Sequence, residues 1–107
     1  MKTLVDTKEF LSETVRLEKK LKKREKEDEF PELLKWSIQL LYFDGSSWMQ
    51  ICRIDNHLHE GKIGVHVHKC GVNDVKPIAA DFQEAQDKVL EIGKRILKER
   101  FGVYDEI

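Results

Sequence analysis

The stretch from Leu33 to Asp55 limits what this chain can fold into more than any other part. Trp36, Ile38, Leu40 and Tyr42 alternate with Lys35, Ser37, Gln39 and Leu41. Side chains on a strand point to opposite faces in turn, so this alternation predicts a strand over Leu33–Phe43. Asp44-Gly45-Ser46-Ser47 is a turn, with glycine where a positive φ is expected. Trp48–Asp55 returns as a second strand. The connection is too short for a crossover, so the two strands pair antiparallel. Trp36, Trp48 and Phe43 are expected as core or cross-strand packing rather than base-stacking platforms.

Before this hairpin, the spacing predicts a helix over residues 6–29. Asp6 with Glu9 resembles a capping box, and Phe10, Thr14, Leu17 and Leu21 follow at helical spacing beside Leu11 and Val15. The apolar stripe stops at Leu21, so the charged end of this helix is expected to project into solvent. Its charges read as a solvated face with i,i+4 pairs such as Glu18–Lys22. A sharper alternative is a phosphate-contacting basic patch at Lys19–Arg24. After the hairpin, Lys62–Cys70 reads as a third strand. Ile63, Val65 and Val67 lie on one face, and Gly64, His66, His68 and Cys70 on the other. The segment from Gly71 to Pro77 reads as a loop. Asp81 with Glu84 then opens a helix, Phe82, Ala85, Val89, Ile92 and Ile96 recur at 3,4 spacing, and Gly102 closes it. A short acidic tail follows.

The expected fold is a single α+β domain over 1–107, in the order α-β-β-β-α. A three-stranded antiparallel sheet (33–70) carries an N-terminal helix and a C-terminal helix (81–101) on one face as a two-layer domain, with Ile63, Val65 and Val67 buried under the latter. The other face is left to the histidines or to a dimer contact. A net charge of −1 supplies no global basic field for nucleic acid, so any such contact needs a local patch. The sequence has no long apolar run and no apolar leader, which points to a protein that contacts no membrane and works in the cytoplasm. In that compartment Cys52 and Cys70 are expected as free thiols.

All four histidines and both cysteines lie between Cys52 and Cys70. His66 and His68 share a strand face about 6.6 Å apart. Two histidines with Arg53 supply a base, an acid and a cation. Cleavage of an RNA phosphodiester needs that set, and it needs no cofactor. Asp55 can fix a histidine tautomer by accepting its N–H. Asn56, His57 and His59 are placed to position a nucleotide. Lys69 points to the opposite face unless the strand bulges near it. Catalytic roles therefore fall to His66, His68, Arg53 and Asp55, and substrate-binding roles to Asn56, His57, His59 and Lys69. Two alternatives remain. One is a divalent-metal site drawn from His57, His59, His66, His68 and Cys70, and the other is a non-catalytic homodimeric interaction protein.

Arg53-Ile54-Asp55-Asn56 followed by His57 resembles the Arg-x-Asp-Asn…His motif of the TumE-type toxin family. Val65-His66-Val67-His68-Lys69 resembles that family's downstream histidine-rich motif, with Val67 between histidines that are adjacent in the family. The likeness covers about residues 36–98 and leaves out the N-terminal charged segment. It implies a small cytosolic toxin of a toxin–antitoxin pair, thought to act on RNA, with a helix-turn-helix antitoxin as partner.

Overall fold

The computed structural model describes residues 1–104, so the acidic residues of the tail, Asp105 and Glu106, lie outside it. The described residues form one six-stranded antiparallel sheet and a C-terminal helix. The strands are β1 (Lys2–Phe10), β2 (Val15–Lys23), β3 (Leu34–Phe43), β4 (Trp48–Asp55), β5 (His66–Lys69) and β6 (Lys76–Pro77), and the helix is α1 (Phe82–Phe101). The strands lie side by side in chain order, as a meander.

This corrects the expected three-stranded sheet flanked by two helices. The N-terminal segment is the hairpin β1–β2, not a helix. Leu17 and Leu21 fit either period, but Val15, Leu17, Lys19 and Leu21 also follow period two. In the sheet they face Tyr42, Leu40, Ile38 and Trp36 of β3. Pairing with the strongly patterned β3 buries Val15 and Leu17 completely, and it overrides the helix propensity of the Lys- and Glu-rich sequence. The turn is closed by Ser12, whose Oγ accepts the Thr14 and Val15 N–H groups at 3.2 and 3.1 Å. Asp6 and Glu9 cap nothing, since they lie in the exposed edge strand β1.

The third expected strand is also shorter. Only His66–Lys69 pairs with β4. Gly64 has φ 133°, a conformation outside the strand region, and the chain enters β5 only after it. Val67 is buried as expected and Val65 packs at the core's margin, but Ile63 is 56% exposed. Lys76-Pro77, read as loop, adds a short edge strand.

The hairpin β3–β4 has the expected turn. Asp44 Oδ1 accepts from the Ser46 and Ser47 N–H groups, and Gly45 has φ 105°. Helix α1 starts at a capping box between Asp81 and Glu84 and ends at left-handed Gly102. Its buried residues Ala85, Val89, Gly93 and Leu97 pack on Ile38, Leu40, Cys52 and Ile54 of the sheet. Gly93 is required there, because a Cβ would run into the Leu40 side chain. Cys52 and Cys70 are both free thiols, and burial pushes the Cys52 thiol up to about 12. Among the described residues no helix is long and apolar enough to cross a membrane.

With α1 on one face, the opposite face is left open. Two rows of directly paired residues cross it. One is Glu18–Gln39–Arg53–His68 and the next is Lys20–Ser37–Asp55–His66, each running over β2, β3, β4 and β5. Paired residues on neighbouring antiparallel strands share a face.

Candidate active site

The two histidine-bearing segments meet because β4 and β5 are neighbours. Arg53 lies directly opposite His68, and Asp55 opposite His66. Asp55 is the centre of the arrangement and is almost fully buried. Its Oδ1 accepts the His57 backbone N–H at 2.9 Å. Its Oδ2 lies 2.7 Å from Arg53 Nε and 3.3 Å from His68 Nε2. The Arg53 Nε–H is not aimed at that oxygen, so the Arg53 contact is an ion pair rather than a hydrogen bond.

Two tautomers follow from these contacts. The contact with Asp55 favours the proton on Nε2 of His68 and leaves Nδ1 as a free base. Arg53 Nη2, which can only donate, lies 2.9 Å from His57 Nδ1, so that nitrogen accepts and neutral His57 carries its proton on Nε2. Burial is the main cause that holds both His57 and His68 below the usual histidine value. For each, Asp55 opposes the shift and Arg53 adds to it. Both rings are therefore neutral near pH 7.

His59 arrives from a small hairpin of its own. The backbones of His59 and Lys62 exchange both hydrogen bonds around Glu60-Gly61, with φ 53° and 77°. This is a two-residue turn, in which a non-glycine residue at positive φ costs about 1–2 kcal/mol. The turn folds the His59 ring over β5, with its centroid 5.8 Å from that of His66 and 6.1 Å from that of His68. His66 is 8% exposed, and its Nδ1 is buried with no hydrogen-bond partner among the described residues. His59 and His66 line a hollow of about 480 Å³ together with Asn73, Asp74 and Pro77.

Of the residues singled out from the sequence, Arg53, Asp55, His57, His59, His66 and His68 come together. Three others lie elsewhere. Asn56 is turned inward, where its Oδ1 accepts the Trp36 N–H at 2.8 Å and its Nδ2 donates to Leu34 O at 2.7 Å. Its amide thus continues the β3–β4 ladder past the end of β4 and does not reach the open face. Lys69 pairs with Cys52 in the row that faces the helix layer, so it lies on the far side from the histidines. Cys70 also lies apart from them, with its carbonyl accepting from Arg100. Among the described residues no three His, Cys, Asp or Glu side chains are arranged to hold one metal ion.

Sequence reasoning offered a phosphate-contacting patch at Lys19–Arg24 as an alternative, but on a helix, and missed that the site extends across β3 to Lys20 and Lys22 on β2. Gln39 donates to Glu18 Oε1 at 3.1 Å, and Glu18 pairs with Arg16 at 2.7 Å. Lys20, Lys22 and Lys35 stand beside this row, around a second hollow that includes His57. The usable signal was the period-two alternation of Val15–Leu21, which fixes the register that aligns Lys20 with Ser37 and Asp55. No family model, curated protein or solved structure matches this chain.

Proposed function

We propose that this chain is a TumE-like toxin that cleaves RNA without a metal ion. The observation that carries the reading is that the two separate motif segments lie on adjacent strands with Arg53, Asp55, His66 and His68 on one open face. In this reading His68, oriented through Nε2 by Asp55, takes the 2′-hydroxyl proton with its Nδ1. His59 stands half-exposed over it and, when protonated, gives a proton to the leaving 5′-oxygen. His66 forms the floor of the hollow. Arg53 Nη1 is not used by Asp55 or His57 and is the donor for the phosphoryl oxygens. The 2′-oxygen attacks phosphorus, the 5′-oxygen leaves, and a 2′,3′-cyclic phosphate remains.

The same reading places the protein in the cytoplasm with a helix-turn-helix antitoxin as partner. A second copy is a further partner on this reading. The outer edge of β1 is the surface we assign to it, with Leu4 and Phe10 45% and 60% exposed. The assay is cleavage of a mixed single-stranded RNA in a chelator between pH 5.5 and 8.5. His68→Ala and His59→Ala are each expected to lose about 10²–10⁴ in rate. Arg53→Ala is expected to weaken both binding and turnover. Absence of cleavage by the parent protein across that range, with no toxicity in cells, would overturn the proposal.

A further inference from the structure

We infer that the hollow between β2 and β3 binds a second phosphate of the same RNA strand, next to the one that is cut. This rests on the ribonuclease reading and extends it to residues outside the histidine cluster. The hollow has a volume of about 190 Å³ and is lined by Lys20, Lys22, Lys35, Trp36, Ser37 and His57. Three lysines and a serine therefore line it, with no acidic residue in its wall.

The lysines share the open face with the site by register. Lys20 stands in the row Lys20–Ser37–Asp55–His66, and Lys22 lies directly opposite Lys35 in the next. Adjacent strands are about 4.8 Å apart, so roughly 10 Å separates Lys20 from Asp55 along its row. His57 joins the two places, since it lines the hollow while its Nδ1 holds Arg53. A strand with its scissile phosphate at Arg53 and His68 can therefore lay a neighbouring phosphate among the lysines.

The free protein leaves these charges unneutralised. Among the described residues no carboxylate lies within 4.0 Å of the three ammonium groups. Asp6 is opposite Lys20 on β1 without forming an ion pair, and Lys35 instead lies over the Phe30 ring at 5.6 Å. Glu18 of the adjoining row and Asp55 of Lys20's own row are bound to Arg16 and to Arg53 with His68. Like charges directly opposite on paired strands destabilise a sheet. Lys22 facing Lys35 is such a pair, and an anion between them relieves the repulsion.

The test is binding of a non-cleavable 2′-O-methyl oligonucleotide, followed by fluorescence anisotropy against salt concentration. Each phosphate contact to a single strand contributes about −0.7 to the slope of log K against log salt. The variant Lys20→Gln/Lys22→Gln/Lys35→Gln is expected to flatten that slope by about 0.7, for the one phosphate that the hollow holds. It is also expected to lose the gain in affinity that the parent shows on going from a dinucleotide to a tetranucleotide. Lys88→Gln/Lys94→Gln/Lys98→Gln removes the same charge from the helix and is expected to keep both. An unchanged slope and length gain in the first variant, with its urea midpoint preserved, would overturn the inference. So would equal loss in the two variants, failure of the parent to bind the oligonucleotide, or tighter lysine-dependent binding of polyglutamate of equal charge. Because the probe cannot be cut, loss of this subsite is read separately from loss of cleavage.

Discussion

Asn56 separates an architectural residue from a substrate-binding one, and its contacts set the magnitude. It is 1% exposed and satisfies two backbone groups, the buried Trp36 N–H and the part-buried Leu34 carbonyl. Asn56→Ala strands the Trp36 N–H where water does not reach and leaves the Leu34 carbonyl to whatever water reaches it. A stranded buried group costs about 1–3 kcal/mol and a part-buried one less, so the variant is expected to lose about 1–4 kcal/mol. Asn56→Asp sharpens the test. It keeps the acceptor for Trp36 but puts an oxygen where Nδ2 now donates to Leu34 O. Burial and that oxygen–oxygen contact favour the protonated acid, so its folded pKa lies above the unfolded value of about 3.9. Its contribution is therefore fully present below that pH and lost as pH rises through the folded pKa. The deficit against the parent is expected to widen from pH 4 to pH 7. Urea denaturation at several pH values measures both variants. A loss below about 1 kcal/mol in Asn56→Ala would refute the argument and free Asn56 for a ligand.

Gly93→Ala is expected to destabilise by about 1–3 kcal/mol, because the new methyl meets fully buried Leu40, and this outweighs the helix propensity gained. Thermal denaturation reads it, and a stabilised variant would show that α1 does not sit this close to β3. The stability of the parent is expected to fall as pH drops below about 6.5. His57 and His68 both have folded values lowered below that of the unfolded chain, so their contribution is present above the unfolded value and lost as acid protonates them. His68→Gln should make that slope shallower, and an unchanged slope would show that His68 does not contribute to it.

The strongly patterned parts of the fold were legible. The hairpin of Leu34–Phe43 and Trp48–Asp55 with its Asp44 turn, and the helix from Phe82 to Phe101, occur where alternation and capping residues place them. The first strands were not, because Leu17 and Leu21 suit both periods and Lys- and Glu-rich runs favour helices in isolation. Only pairing with β3, a contact between distant segments, decides between them. Ile63 misled for a related reason: its apolar side chain continues the pattern of Val65 and Val67, but Gly64 at positive φ breaks the strand between them. Gathering Arg53, Asp55, His66 and His68 on one face needed only the alternation along β4 and β5. The inward turn of Asn56 could not be read, because it depends on two backbone groups of β3 that lie about twenty residues away in the chain.

The most direct test of RNA cleavage by His68 and His59 is to identify the ends of the product RNA. The parent protein is incubated with a defined single strand in a chelator, and the fragments are analysed by mass spectrometry. The proposed chemistry predicts a 2′,3′-cyclic phosphate on the upstream fragment and a 5′-hydroxyl on the downstream one, with no cut where the attacking 2′-hydroxyl is replaced by hydrogen. Fragments with a 3′-hydroxyl, cleavage that appears only when a divalent ion is added, or cutting at the 2′-deoxy position would contradict it.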